Sequence, residues 1–205
     1  MKHLLLIGGG GHCHACIDVI EMTGLFQIVG IVRPLADGQA PVLGYPILGT
    51  DEDLPSLLKQ VPQALIAVGQ IKSPKIRMNL FNLIKSCDAK FPVIESPNSY
   101  RSKHAFVGEG SILMHGSVTN ANAKIGANCI INSLALIEHD AIVGSHSHIA
   151  TGARVNGGAQ IGEGCFIGSG AILKEGVEVG ARSVIGAGQV VSKNVPADTL
   201  LRGIV

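Results

Sequence analysis

From Val107 to Val191 every sixth residue is Ile, Leu or Val, with Thr119 the one exception among fifteen positions. Four residues after each, a small side chain usually stands, as at Ser111, Ala123, Cys129, Ala141 and Cys165. Glycine follows the aliphatic at Gly108, Gly126, Gly144, Gly162 and Gly180, eighteen residues apart each time. A six-residue period nested in an eighteen-residue one predicts short strands joined by corners, three to a coil, stacked as a triangular prism. The aliphatic and the small residue of each hexad point inward, and stacked strands lie ~4.8 Å apart. Each buried aliphatic contributes ~1.5–3 kcal/mol, so a register slip is costly. Five coils run without interruption from Val107 to Pro196.

The first half has different periods. "HLLLIGGGGH" reads as a buried strand entering a glycine loop, and "CHACIDVIEMTG" as a helix ending at Gly24. "FQIVGIV" reads as a second strand and "QALIAVG" as a third. "SPKIRMNLFNLIKSC" has helical apolar spacing at Ile76, Leu80, Leu83 and Ile84, with Pro74 near its start. "FPVIES" follows as another short strand. Strands alternating with helices imply a parallel sheet. The expected division is an α/β Rossmann-like domain over residues 1–96 and an all-β prism over residues 97–205, with the seam in "SPNSYRSKHAF".

Composition narrows the partners. With 16 basic and 15 acidic residues the net charge is +1, and no Lys/Arg-rich run invites nucleic acid or an anionic membrane. The apolar start is too short for a signal peptide or a membrane span, so the expected compartment is the cytoplasm. Five scattered cysteines fit reduced thiols better than a disulfide framework. Cys129 and Cys165 share the inward small position two coils apart, ~9.6 Å along the stack, too far to bridge.

Two places carry candidate chemistry. Gly8 to Gly11 offer backbone without Cβ at a helix N-terminus, which suits a phosphate. The dinucleotide fingerprint is not met: its third glycine falls on Cys13 or His14, and Arg33-Pro34 stand where an acid should end the second strand. A nucleotide or nucleotide sugar is the expected ligand there, with a bland tight turn as the alternative. Cys13 and Cys16 lie at the same helix start, where the dipole lowers a thiol pKa; a redox pair and two small buried thiols both remain open.

The second place is "IEHDAIVGSHSH", with three histidines and two acids in twelve residues. By hexad position the cluster decorates the outside of the prism. Solvated corner histidines, a metal site and a general base compete. Among His104, His115, His139, His146 and His148 no pair is 18 or 36 residues apart, which disfavours metal ligation from stacked coils. Histidine titrates near neutral pH, and a carboxylate on its other nitrogen fixes the tautomer and stabilises the imidazolium.

The repeat resembles the hexapeptide-repeat acyltransferases, and "NSLALIEHDAIVGSHSHIATGARVNGGAQIGEGCFIGSGAIL" is similar to bacterial nucleotide-sugar acetyltransferases, especially the UDP-4-amino-sugar N-acetyltransferases of the bacillosamine pathway and the sialic acid O-acetyltransferases. The resemblance implies a left-handed β-helix, a homotrimer with clefts between prisms, and direct transfer from acetyl-CoA to a UDP- or GDP-linked amino sugar, with no metal. By the family pattern His139 is the general base, Asp140 its partner, and His148 lies near the acetyl group. Gly157, Ser169 and Ala187 fall on the coenzyme path. His146 has no role in the pattern and is expected as an exposed neighbour. Gly11, His12, Cys13 and Gly69 fall on the sugar-nucleotide pocket. The chain departs from the family at Arg33-Pro34, where two acids are usual, at Gln70, and at its "LLRGIV" end, which lacks the usual Gly-x-Pro-Ala tail and is expected to alter how the adenine end is held. O-acetylation of a sugar and a trimeric nucleotide-sugar-binding protein without turnover remain alternatives.

Overall fold

The computed structural model describes residues 1–34, 36 and 39–202. The expectation for the "LLRGIV" end concerns residues 200–205, of which 203–205 lie outside them. The chain begins with β1 (Lys2–Ile7), the glycine loop and α1 (Gly11–Thr23), which Gly24 ends with φ 62°. Then come β2 (Phe26–Val32), β3 (Ile47–Gly49), α2 (Leu54–Gln60), β4 (Ala64–Ile66) and α3 (Lys75–Ser86). The four strands form one parallel sheet in the order β3-β2-β1-β4. β3 and α2 have no counterpart in the sequence reading, being short and without clear alternation. "FPVIES" supplies β5 (Ile94–Glu95), which pairs with the prism and not with this sheet.

From β5 onward two-residue strands run to β22 (Leu200–Leu201), all parallel, in faces of five, seven and six strands. The inward residues are buried, among them Ile131, Ile149, Cys129 and Cys165 at 0% exposure. Thr119 is buried like its aliphatic counterparts, and its hydroxyl has no hydrogen-bond partner among the described residues. From Gly110 to Gly188 every sixth residue has φ between +54° and +70°. That left-handed residue turns each corner, and glycine takes it most cheaply. Another glycine set, eighteen apart, answers to space: a Cβ on Gly144 would stand 2.6 Å from the backbone of Gly162 and Glu163 in the next coil.

The seven-stranded face is covered. Its outward column, Ile94, Ile112 and Ile130, packs with Cys13, Cys16, Ile17 and Ile20 of α1 in one core. The helix is thus shared between the parallel sheet and the prism. Burial raises both thiols of the "CHAC" stretch, Cys13 to about 11, so the helix dipole does not activate them. They are packing groups, and the redox reading falls.

α3 corrects the sequence reading by one residue. Leu80 and Ile84 face the core as expected, but Ile76 is 64% exposed while Arg77 is buried. The Arg77 guanidinium donates to Ile66 O (2.8 Å), Val68 O (2.7 Å), Asn128 O (3.0 Å) and Asn128 Oδ1 (2.6 Å). It ties the end of β4 to a corner of the prism, using neutral acceptors to satisfy most of a buried charge.

Two outcomes follow from this packing. Gly144→Ala should lower the melting temperature more than Gly170→Ala, whose Cβ meets nothing and which carries only the left-handed strain of roughly 1–2 kcal/mol; equal effects in thermal unfolding would contradict the close stacking. In the folded protein iodoacetamide should modify Cys87, which is partly exposed, and should reach Cys13, Cys16, Cys129 and Cys165 only after denaturation, as read by mass spectrometry.

Candidate active site

The α/β domain opens a cavity of about 770 Å³ lined by the Gly8–Gly11 loop, His12, Arg33, Asp51, Gln70, Asn132 and His148, with Gly69 and Ile76 also on its wall. The loop is shaped by contact on one side and space on the other. A Cβ on Gly8, at φ 110°, would meet Val68 at 2.6 Å, and one on Gly9 would meet Arg33 at 2.7 Å. Gly10 and Gly11 have nothing within 4 Å. No side chain caps α1, so the N–H groups of Gly11 and His12, two residues on the cavity wall, are left for an anion. Gly11, His12 and Gly69 therefore line the cavity as expected by position. Cys13 does not: its side chain lies in the core behind the loop.

His148 also belongs to this cavity. Its Nδ1 is 2.6 Å from Gln70 O, and a carbonyl only accepts, so Nδ1 carries the proton. Its Nε2 then accepts from Asn132 Nδ2 at 3.1 Å. The ring centroid lies 6.3 Å from that of His12. Burial, aided by the Arg77 charge, lowers His12 to about 3 and, despite the bond to Gln70, His148 to about 4. Both rings are neutral at pH 7. Gln70 reaches the prism through Nε2 to Cys165 O at 3.2 Å, and its buried Oε1 has no partner.

His146 is not exposed. It lies beneath α3, edge-on to Phe81 with ring centroids 5.2 Å apart, and its Nδ1 accepts from Asn128 Nδ2 at 2.9 Å. The three histidines thus part company. Two are covered by the α/β domain and hydrogen-bonded in place, and one is open.

The open one is His139. It follows Leu136–Ile137 on a prism edge, with its side chain 66% exposed. Its Nδ1 stands 2.8 Å from Asp140 Oδ2, and Asp140 Oδ1 accepts from Asn122 Nδ2 at 2.6 Å. Asp140 turns the corner at φ 60°. The hydrogen bond to Asp140 and the charges of Asp140 and Glu138 raise the imidazole pKa, while Asn122 and His139 hold the Asp140 carboxyl low. A carboxylate on Nδ1 leaves Nε2 as the working nitrogen, and Nε2 has no hydrogen-bond partner among the described residues. Gly157 stands directly above: a Cβ there would lie 2.8 Å from Cε1 and Nε2 of the ring.

Ser169 and Ala187 occupy a different edge, stacked one above the other through Gly188 N to Ser169 O at 2.9 Å. The two edges border the same six-stranded face. The backbone N–H groups of Gly157, Ser169 and Ala187 make no hydrogen bond among the described residues. Arg77, Asn132 and Asn122 escaped the sequence reading; only Asn122 left a signal, standing eighteen residues before Asp140. Among the described residues no group of three His, Cys, Asp or Glu side chains is placed to hold a metal ion, and no helix is long and apolar enough to cross a membrane.

The PglD N-terminal domain family matches residues 3–84. Bacterial transferase hexapeptide repeats match residues 122–157, and the hexapeptide repeat of succinyl-transferase matches 158–193. No curated protein sequence gives a match. Among solved structures, PerB from Caulobacter crescentus, in complex with CoA and GDP-perosamine, is 32% identical with a TM-score of 0.89, over 97% of this chain and 92% of that one. The acetyltransferase domain of PglB from Neisseria gonorrhoeae is 28% identical with a TM-score of 0.89, over 96% and 94%. WeeI from Acinetobacter baumannii, at 23% identity and a TM-score of 0.82, shares the fold. An α/β domain docked on a left-handed β-helix, matched along nearly its whole length, makes this chain a member of the nucleotide-sugar acetyltransferases of the hexapeptide-repeat superfamily.

Proposed function

We propose that the protein transfers an acetyl group from acetyl-CoA to the amine of a UDP- or GDP-linked amino sugar. The observation that carries this reading is His139, an exposed imidazole with a carboxylate on Nδ1 and an unengaged Nε2 over the glycine of the next coil. The similar Caulobacter protein was crystallised with CoA and GDP-perosamine, which supports the same pair of substrates here.

The glycine loop and the start of α1 receive the diphosphate, with Arg33 adding positive charge to the far wall. His12, Gly69 and His148 shape the wall nearest the sugar, and Cys13 supports the loop from behind. His139 Nε2 takes the proton from the amine as nitrogen bonds to the thioester carbonyl carbon. Asp140 stabilises the imidazolium. The tetrahedral oxyanion meets a free backbone N–H of the coenzyme path, Gly157 being the nearest to the ring; as the carbonyl re-forms the C–S bond breaks, and CoA leaves as the thiol with the proton returned from the imidazolium. No acyl-enzyme is needed: Cys129 and Cys165 face the interior.

One prism does not complete this site. His139 and Gly157 stand on one edge, and Ser169 and Ala187 on another. The face between them carries Tyr100, Val118, Leu136, Arg154, Ile172 and Val190 outward, a mostly apolar column broken by one arginine and suited to a second copy. A homotrimer turns the two edges toward each other across a cleft, and brings His139 toward a neighbouring chain's cavity. The need for acetyl-CoA and the five unpaired thiols support a reaction in the cytoplasm.

His139→Ala should lower kcat/KM by ~10²–10⁴ with acetyl-CoA binding retained. The acid limb of the wild-type profile should have its midpoint above the ordinary imidazole value of 6.5, because the Asp140 contact raises the base and only its unprotonated form acts. Unchanged kcat/KM in the variant would remove His139 from the mechanism. A panel of amino and hydroxy acceptors, followed by release of CoA thiol, separates N-acetylation from O-acetylation and from binding without turnover.

A further inference from the structure

Three turns stack at the His139 edge. From the bottom they read Asn120-Ala121-Asn122, Glu138-His139-Asp140 and Asn156-Gly157-Gly158, each eighteen residues after the one below. Asp140 N to Ala121 O (3.2 Å) and Gly158 N to His139 O (3.0 Å) hold them in vertical register. The lower turn therefore presents two amides to two acids: Asn120 Nδ2 to Glu138 Oε2 at 2.8 Å, and Asn122 Nδ2 to Asp140 Oδ1 at 2.6 Å. The small residues between and above, Ala121 and Gly157, leave room for the ring.

We propose that Asn122 is a positioning residue for His139, holding the Asp140 carboxylate so that the imidazole keeps its Nδ1 contact and presents Nε2 beside Gly157. This rests on the reading of His139 as the base. The Asp140 side chain is 55% exposed, and its hydrogen-bond partners among the described residues are His139 and Asn122. Without Asn122 the carboxylate is free to change rotamer, and an imidazole tied to it by one exposed hydrogen bond follows. A neutral amide orients the carboxylate without cancelling the charge that the imidazolium needs, as a lysine or arginine would. Asn122 does this from a left-handed corner, φ 61°, a position glycine fills at eight of the fourteen corners from residue 110 to 188. Glu138 is held in the same way, but it accepts from the His139 backbone N–H and so fixes the turn, not the ring.

That corner makes the test clean. Asn122→Gly keeps a backbone glycine favours and removes only the amide. Asn122→Asp keeps the shape and sets one carboxylate against another. The titratable groups acting on the ring are Asp140 and Glu138 of its own turn; the turns above and below hold none. With acetyl-CoA and GDP-perosamine or a UDP-4-amino sugar, Asn122→Gly should lower kcat about tenfold. The melting temperature and the KM for acetyl-CoA should stay at wild-type values. Its His139 titration midpoint, followed by NMR with His139→Ala to identify the signal, should move down toward that of free imidazole. In Asn122→Asp the added anion should move the midpoint up. Opposite shifts at constant stability are a signature that a merely structural residue does not give. Wild-type kcat and an unmoved midpoint in Asn122→Gly, beside an inactive His139→Ala, would overturn the role of Asn122 and leave the base standing. Full activity in His139→Ala would overturn both.

Discussion

Vertical register between coils is the constraint on which the rest of the molecule depends. A residue in one turn lies beneath the residue eighteen places later, and parallel backbone hydrogen bonds allow no drift. Asn128 N to Glu109 O, His146 N to Ala127 O and Gly164 N to Ser145 O follow one another up one edge at 2.8, 2.8 and 2.9 Å. The left-handed corner every six residues is what permits this, since it turns the chain without consuming extra length. Most such corners are glycine. Of the six that are not, Asn122, Asn128, Asp140 and His146 are of the types that tolerate positive φ best, while Leu134 and Arg182 are not. Two of these, Asn122 and Asp140, are hydrogen-bonded in line with His139, and two form the clasp beneath α3. Scaffold geometry and chemistry thus draw on the same positions.

Docking of the α/β domain is the second organising event. It converts one face of the prism from surface to core, so that α1 serves two partners at once. The same docking decides which histidines can titrate. His148 occupies the outward column that Ile112 and Ile130 occupy below it, and it inherits their burial. Its two nitrogens are then committed to Gln70 and Asn132, one as donor and one as acceptor.

How much of this the sequence announced follows from the range of each interaction. The prism was legible because a six-residue rule fixes every inward position locally. α1 and β2 were legible because glycines punctuate both. β3 and α2 were not, since Ile47–Gly49 and Leu54–Gln60 are short and stabilised by neighbours far along the chain. α3 shows the limit of periodicity: Ile76 fits the apolar stripe, yet Arg77 is the residue drawn inward, by carbonyls at residues 66, 68 and 128 that no local pattern reveals. In the site, His139 beside Asp140 was readable from adjacency alone. The burial of His146 and His148 was not, because hexad position says only that they leave the prism, not what waits outside it.

The division between histidines has a chemical logic. A general base must gain and lose a proton in every turnover, so its charged form has to be tolerable. In the proposed mechanism His139 meets that need, open to solvent on one side and with a carboxylate on Nδ1. A ring fixed in a cavity wall must instead stay neutral. Burial beside Arg77 does this for His12 and His148, since a second positive charge there is disfavoured by both desolvation and repulsion. Arg77 itself stays charged because four oxygens surround it, although burial lowers it to about 10. Burial first, and the buried cation that joins the two domains after it, therefore keep the cavity's imidazoles neutral while the one on the edge stays free to take up a proton.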